Sequence, residues 1–232
     1  MANITVLNSE THRDLGVKTD PSAKYGDAVR FVSVVVSEFG FLTLHYPLFF
    51  SKDANTGTFY CGAMLGFDDG ENLFLGTDAV ADAYRPLNLQ RGPFYAAGTE
   101  LAVDLDHPRL TKSGGQGLFN ESGAPTSYLE NIMATMRELT AGAAATNAFI
   151  DVLMTAKLIE PIELDIAFDD GTRRDVVGLY TISQDTLAAL PDQMIVELFR
   201  RGHLKLIYLM IASLKQVNVL AQRKNRALLD AR

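Results

Sequence analysis

The stretch Ile162-Glu163-Leu164-Asp165-Ile166-Ala167-Phe168-Asp169-Asp170-Gly171, with Arg174 to Ile182 behind it, decides the fold class. Ile162, Leu164, Ile166 and Phe168 alternate with Glu163, Asp165 and Ala167, which is the period of a strand with one buried and one wet face. Asp169-Asp170-Gly171 is a turn signal, so the pattern predicts a β-hairpin that returns through Arg174 to Ile182. On either side the period becomes helical. Upstream, Ser127 and Glu130 have capping-box spacing just after Pro125, and Leu129, Ile132, Met133, Met136 and Leu139 follow at helical intervals. Ala143 to Leu158 continues as helix, with Gly142 a point where it can kink and Pro161 closing it. Downstream, Ser183 is placed to cap a short helix to Leu190. Pro191 suits the first turn of the next helix, which ends near Gly202. Leu204, Ile207, Tyr208, Ile211 and Leu214 then line one side of a terminal helix. A hairpin set among helices argues for α+β.

The first ~120 residues read as strand-rich from their β-branched and aromatic content. Arg30 to Val36 is a buried strand, Ser37 to Leu44 one short helix, and Tyr46 to Phe50 extended, since Pro47 disfavours helix in its predecessor. Thr58 to Phe67, Asn72 to Leu75 and Phe94 to Asp104 are further strands, with Asp68-Asp69-Gly70 a turn and Ser113 to Gly117 a loop. The expected fold is thus α+β in one domain over residues 1–232. Its N-terminal half, 1–120, is strand-rich and antiparallel, and helices with one hairpin make up 121–232.

Of the 232 residues, 47% are hydrophobic and 21% charged, enough apolar material for a packed core. The formal net charge is −7, which disfavours binding to phosphate backbones, so nucleic acid is not an expected partner. The balance is uneven: from Ser183 onward there are 8 Lys and Arg against 4 Asp and Glu. The tail Arg223-Lys224-Asn225-Arg226 reads first as cations at a helix C-terminus, and second as a surface for a membrane or a partner helix. The single cysteine, Cys61, lies in an apolar run and reads as a small buried hydrophobe. The N-terminus shows no basic n-region and no apolar h-region, so a cytoplasmic location is expected. Leu204 to Val219, the longest apolar stretch, carries Lys205 and Lys215 and is shorter than the ~20 residues of a bilayer-crossing helix, so no membrane span is expected.

There is no Walker loop, no GxGxxG after a strand, no GxSxG and no paired CxxC, which counts against nucleotide-binding, hydrolase and zinc-ribbon readings. The sharpest chemical pattern is His12-Arg13-Asp14. An H-x-D pair with a later histidine is the ligand set of a facial iron(II) triad, and His107 is placed to be the third ligand. Arg109 or Lys112 then pairs with a cosubstrate carboxylate. This gives an alternative function, an iron(II) and 2-oxoglutarate-dependent oxygenase acting on peptides or proteins. The competing reading has His12 and Asp14 capping a turn. Glu38 and His45 share a face only if their whole segment is helical. Asp104, Asp106 and His107 read as a solvated strand end. Glu71 and Asn72 read as satisfying loop backbone groups.

Several stretches together resemble the SapC-like family of bacterial proteins: Thr11-His12-Arg13-Asp14-Leu15, His45-Tyr46-Pro47-Leu48-Phe49-Phe50, Gly70-Glu71-Asn72-Leu73-Phe74, Leu89-Gln90-Arg91-Gly92-Pro93-Phe94, Gly117-Leu118-Phe119, and Gly202-His203-Leu204 with Ser213-Leu214. They run in family order over nearly the whole chain. The chain departs from the family pattern at Met210, where a histidine is usual, and at Gln90-Arg91-Gly92. The resemblance implies an accessory or binding protein of surface-layer or TonB-dependent outer-membrane uptake systems, with another protein or a peptide as partner and no cofactor. Members are sometimes labelled peptide-transport permeases, a label that the expected lack of a spanning segment opposes. The resemblance carries no catalytic residue onto this sequence.

Overall fold

The structure is a computed structural model that describes residues 3–75 and 84–230. In chain order its strands are β1 (Ile4–Val6), β2 (Gly16–Val17), β3 (Phe31–Ser33), β4 (Leu48–Lys52), β5 (Phe59–Met64), β6 (Phe94–Ala97), β7 (Glu100–Asp104), β8 (Leu110–Thr111), β9 (Gln116–Gly117), β10 (Ile159–Ala167) and β11 (Arg173–Ile182). The helices are α1 (Phe39–Leu42), α2 (Leu87–Gln90), α3 (Ser127–Thr155), α4 (Gln184–Ala188), α5 (Asp192–Arg200), α6 (His203–Ser213) and α7 (Gln216–Asp230). Among the described residues every strand pairing is antiparallel, with strands mostly early and helices mostly late, so the chain is α+β as the hairpin predicts. The chain forms two compact units.

The first unit holds residues up to Ala28 and Leu87–Ala141. It contains two three-stranded sheets, ordered β1-β7-β6 and β8-β2-β9. Its core gathers Val17, Phe94, Val103 and Leu118 with Leu129 and Ile132 from the first half of α3. Phe94 to Asp104 is two strands rather than the single strand expected. Gly98 takes φ 63°, a left-handed conformation open to glycine at no steric cost, and so turns β6 back along β7. Gln116–Gly117, expected as loop, pairs with β2. Ser127 does not cap α3. The cap is Thr126, whose hydroxyl accepts the Leu129 N–H at 3.3 Å and donates to the Gly117 carbonyl at 2.7 Å.

The second unit holds Val29–Phe74 and the chain from Gly142 onward. Its five-stranded sheet has the order β10-β11-β4-β5-β3. The β10–β11 hairpin turns at Asp169-Asp170-Gly171, with the Gly171 N–H on the Phe168 carbonyl at 3.0 Å. Ile162, Leu164 and Ile166 are half-buried and Phe168 buried, while Glu163, Asp165 and Ala167 are exposed, which is the predicted two-faced pattern. α3 does not extend to Leu158. It ends at Thr155, where Lys157 adopts φ 56° and the Leu158 N–H returns to the Leu153 carbonyl at 2.9 Å, a left-handed cap built without glycine. Pro161 therefore closes nothing. It sits in β10, the edge strand, where a missing N–H removes no inner ladder bond. Gly142 lies inside the helix because a side chain there would meet Val35 Cγ2 at 2.7 Å.

Asn72 to Leu75 is not a strand. Glu71 Oε2 accepts the N–H groups of Phe67 and Asp68, and Asn72 Oδ1 accepts that of Phe74, so side chains take the backbone donors that a ladder would use. The buried stripe on the terminal helices is also not the apolar one expected. Tyr208 is exposed, and the buried positions are Ile207, Met210, Ser213, Val217, Leu220 and Lys224, two of them polar. A turn at Leu214–Lys215 separates α6 from α7. By length and composition His203–Asp230 is apolar enough to cross a membrane, with a mean hydropathy of 1.4 over an 18-residue window, 28% of it buried within the protein.

Candidate functional site

His12, Asp14, His107, Arg109 and Lys112 all lie in the first unit. His12 is buried, and its Nδ1 accepts the Asn8 N–H at 3.1 Å, with the Thr11 hydroxyl 3.2 Å away. Asn8 Oδ1 in turn accepts from Glu10 and Thr11, so His12 completes a turn of side-chain-to-backbone bonds. Asp14 is exposed. His107 is half-buried; its Nδ1 accepts the Arg109 N–H at 3.2 Å, and burial with the nearby Arg109 charge holds its pKa below the usual imidazole value. Among the described residues no three His, Cys, Asp or Glu side chains are grouped to hold a metal, so the structure does not bring His12, Asp14 and His107 together.

Arg109 is one of the most enclosed charges in the protein, at 2% exposure. Its guanidinium pairs with the equally buried Asp27, donates to the backbone carbonyls of Lys18 at 2.7 Å and Asp20 at 3.1 Å, and lies 5.1 Å from the Tyr25 ring centroid. Asp27 also accepts the Ser22 N–H at 2.8 Å. The planar fork of arginine satisfies several fixed acceptors at once, as a buried charge must. Lys112 is exposed.

The second unit carries a charge cluster that sequence reasoning missed. Lys224 of α7 reaches Asp68 Oδ2 at 2.7 Å and Glu71 Oε1 at 2.5 Å, and Asp68 Oδ1 accepts from Arg174 Nε of β11 at 2.6 Å. The bonds from Arg174 and Lys224 hold the Asp68 carboxyl below the ordinary carboxylate range. Burial works to lower the Lys224 pKa, but the bonds from both carboxylates outweigh it and the net shift is upward. Beside the cluster, the Arg223 guanidinium lies 4.6 Å from the Phe74 ring centroid, and Phe74 packs on Tyr46 at 4.4 Å. Burial pushes the Tyr46 phenol up to about 12, against the opposing pull of Arg223 and Arg85; its hydroxyl donates to the Tyr84 carbonyl at 3.0 Å. In sequence the one trace of this arrangement is Glu71 beside the Asp68-Asp69-Gly70 turn, because Lys224 hides in a run of cations.

Cys61 is buried, and burial pushes its thiol up, as expected of a small hydrophobe. Glu38 is fully buried and accepts the Val35 N–H at 3.0 Å. Ser213 Oγ accepts the Leu48 N–H at 2.9 Å and donates to the Met210 carbonyl at 2.6 Å, tying α6 to β4. A cleft of about 310 Å³ is formed by the end of α3 and by α5. Val152, Ala156, Met194 and Leu198 give it apolar walls, and Asp151, Glu197 and Arg201 give it polar groups. Arg201 pairs with Glu197 at 2.6 Å.

A protein-family model described as SapC matches residues 7–220. The chain belongs to the SapC family. The SapC match spans all the motif stretches from Thr11 to Leu214, the Asp27–Arg109 pair and the cleft, and ends before Arg223 and Lys224. No curated protein and no solved structure matches this SapC chain.

Proposed function

We propose that this SapC-family chain is an accessory binding protein of bacterial surface-layer or TonB-dependent outer-membrane uptake systems. In this reading it works in the cytoplasm and holds a segment of a client protein in the cleft beside α5. The observation that carries the reading is the make-up of the cleft. Its volume of about 310 Å³ suits one or two apolar side chains, with Val152, Ala156, Met194 and Leu198 as walls. In this reading the carboxylate of Asp151 and the Glu197–Arg201 pair, which line the cleft, serve as partners for the polar backbone and ends of a client peptide. Family membership supports the biological setting.

The test uses peptides tiling the precursors of a surface-layer subunit and of a TonB-dependent receptor, titrated by fluorescence anisotropy. At least one should bind saturably in the micromolar range. Ala156→Trp, which fills the cleft, should abolish that binding with an unchanged circular dichroism spectrum. Saturable binding by no peptide, or binding indifferent to Ala156→Trp, overturns the proposal.

A further inference from the structure

We propose that the second unit docks on an anionic lipid surface through α6, α7 and the end of α1, lying along the bilayer rather than crossing it. The inference starts from the side of the terminal helices opposite their buried stripe. Lys205 and Tyr208 of α6, Lys215 of the turn between the helices, and Val219 and Arg226 of α7 are all exposed. Gln216 Nε2 donates to the carbonyls of Thr43 at 3.3 Å and Leu44 at 3.2 Å, which sets the end of α1 against this stretch. There Leu44 is 66% and Phe41 58% exposed.

The charge of this surface is predominantly positive, with Asp230 at the last position of α7 its one acid. From His203 to Leu229, and from Phe39 to Lys52, the sequence has no Asp or Glu, although the chain as a whole carries −7. A face that mixes protruding aliphatic and aromatic side chains with an excess of cations complements acyl chains beneath anionic headgroups. Of the large apolar side chains on these helices, Tyr208, Val219 and Leu229 are exposed. These exposed apolar groups stand on the outer surface of a helix, which suits insertion among headgroups. A protein partner would have to supply a matching recess. Crossing the bilayer would bury Lys205 and Lys215 in hydrocarbon, whereas lying along the surface leaves both in the headgroup layer.

Flotation of the full chain with vesicles tests this. The chain should float with vesicles of phosphatidylcholine mixed with phosphatidylglycerol and stay behind with phosphatidylcholine alone. Raising the salt concentration should release it, because screening weakens the headgroup attraction. Each cation near an anionic leaflet is worth about fivefold in partitioning, so Lys205→Glu combined with Lys215→Glu should cut binding at least ~tenfold. Leu44→Ser, at a separate and exposed position, should weaken binding several-fold through lost insertion. Circular dichroism confirms that each variant is folded. Soluble glycerol phosphate at matched concentration should not compete, which separates a lipid surface from a free phosphate ligand. Failure to float with phosphatidylglycerol, including a case where the chain instead binds an acidic protein, overturns the proposal. So does equal flotation with both vesicle types, or unchanged flotation of both variants. The result is independent of the cleft, whose test uses soluble peptides.

Discussion

Lys224 Nζ meets Asp68 Oδ2 at 2.7 Å across 156 residues of sequence. The pair fastens the last helix of the chain to the turn that follows β5. Because Glu71 shares the ammonium and Arg174 shares the Asp68 carboxylate, no member of the cluster is replaceable by charge alone. Lys224→Met keeps the apolar stem and removes the ammonium, leaving the two carboxylates facing each other. The expected loss is about 3 kcal/mol, the scale of breaking a well-enclosed ion pair, read as a lowered urea midpoint at constant slope.

The same cluster sets an acid limb. The Asp68 pKa is depressed in the folded state by its bonds to Arg174 and Lys224. A depressed carboxyl stabilises the fold fully above its unfolded pKa of about 3.9, and that contribution disappears as pH falls through the folded value. Asp68→Asn should therefore lower the melting temperature near neutrality and flatten its decline below about pH 4. If the variant's melting temperature falls with acid as steeply as the parent's, Asp68 is not the group responsible.

Arg109 gives a prediction about its kind as well as its charge. Lysine supplies a cation for Asp27 but cannot also reach the Lys18 and Asp20 carbonyls with a planar fork. Arg109→Lys should destabilise the protein by about 2–4 kcal/mol, nearly as much as Arg109→Leu, because each leaves buried groups unpaired. Chemical denaturation of the two variants side by side decides it; near-complete rescue by lysine would show that charge alone matters.

Gly142 inverts the usual rule for helices. Replacing glycine by alanine inside a helix ordinarily stabilises by about 1 kcal/mol. Here the new methyl meets Val35 Cγ2 at 2.7 Å and Cβ at 2.8 Å. Gly142→Ala should instead lower stability by about 1–3 kcal/mol, and Val35→Ala in the same background should recover part of it. A double-mutant cycle measures that coupling.

His203 carries a half-buried imidazole. Burial lowers its pKa, the charge of Arg201 adds to the effect, and its Nδ1 is buried without a hydrogen-bond partner. Its imidazole resonance should titrate with a midpoint below the ordinary value of about 6.5. The unfolded chain then takes up the proton first, so acidification through that value costs stability, and His203→Gln should remove this component. An NMR midpoint at or above 6.5 would contradict the burial argument.

The hairpin at Ile162 to Ile182 was legible because its period depends on neighbours in sequence, and the same holds for the helices from Ser127, Gln184 and Asp192. What the sequence hid has a common cause. Ser213 and Lys224 occupy core-facing positions because Leu48, Asp68 and Glu71 supply polar partners from far along the chain. Reading apolar periodicity alone therefore rotated the buried stripe toward Tyr208. Lys157 ends α3 in a left-handed conformation that carries no glycine signal. At the candidate sites, the sequence singled out His12 and Arg109 for their chemical types. Their bonds to Asn8 and Asp27 became visible only with the backbone placed, and the cleft depends on two helices whose facing residues look like ordinary amphipathic positions.

Pro161 has an effect beyond its own chain. It stands in the outermost strand of the five-stranded sheet, followed by a register shift between Ile162 and Leu164 and by the exposed carboxylates of Glu163 and Asp165. A neighbouring molecule approaching that edge meets a missing donor, an irregular ladder and the charge of Glu163. The chain can thus keep a nine-residue strand at the border of the sheet and stay dispersed in a crowded solution, where an unguarded strand would seed fibrous self-association.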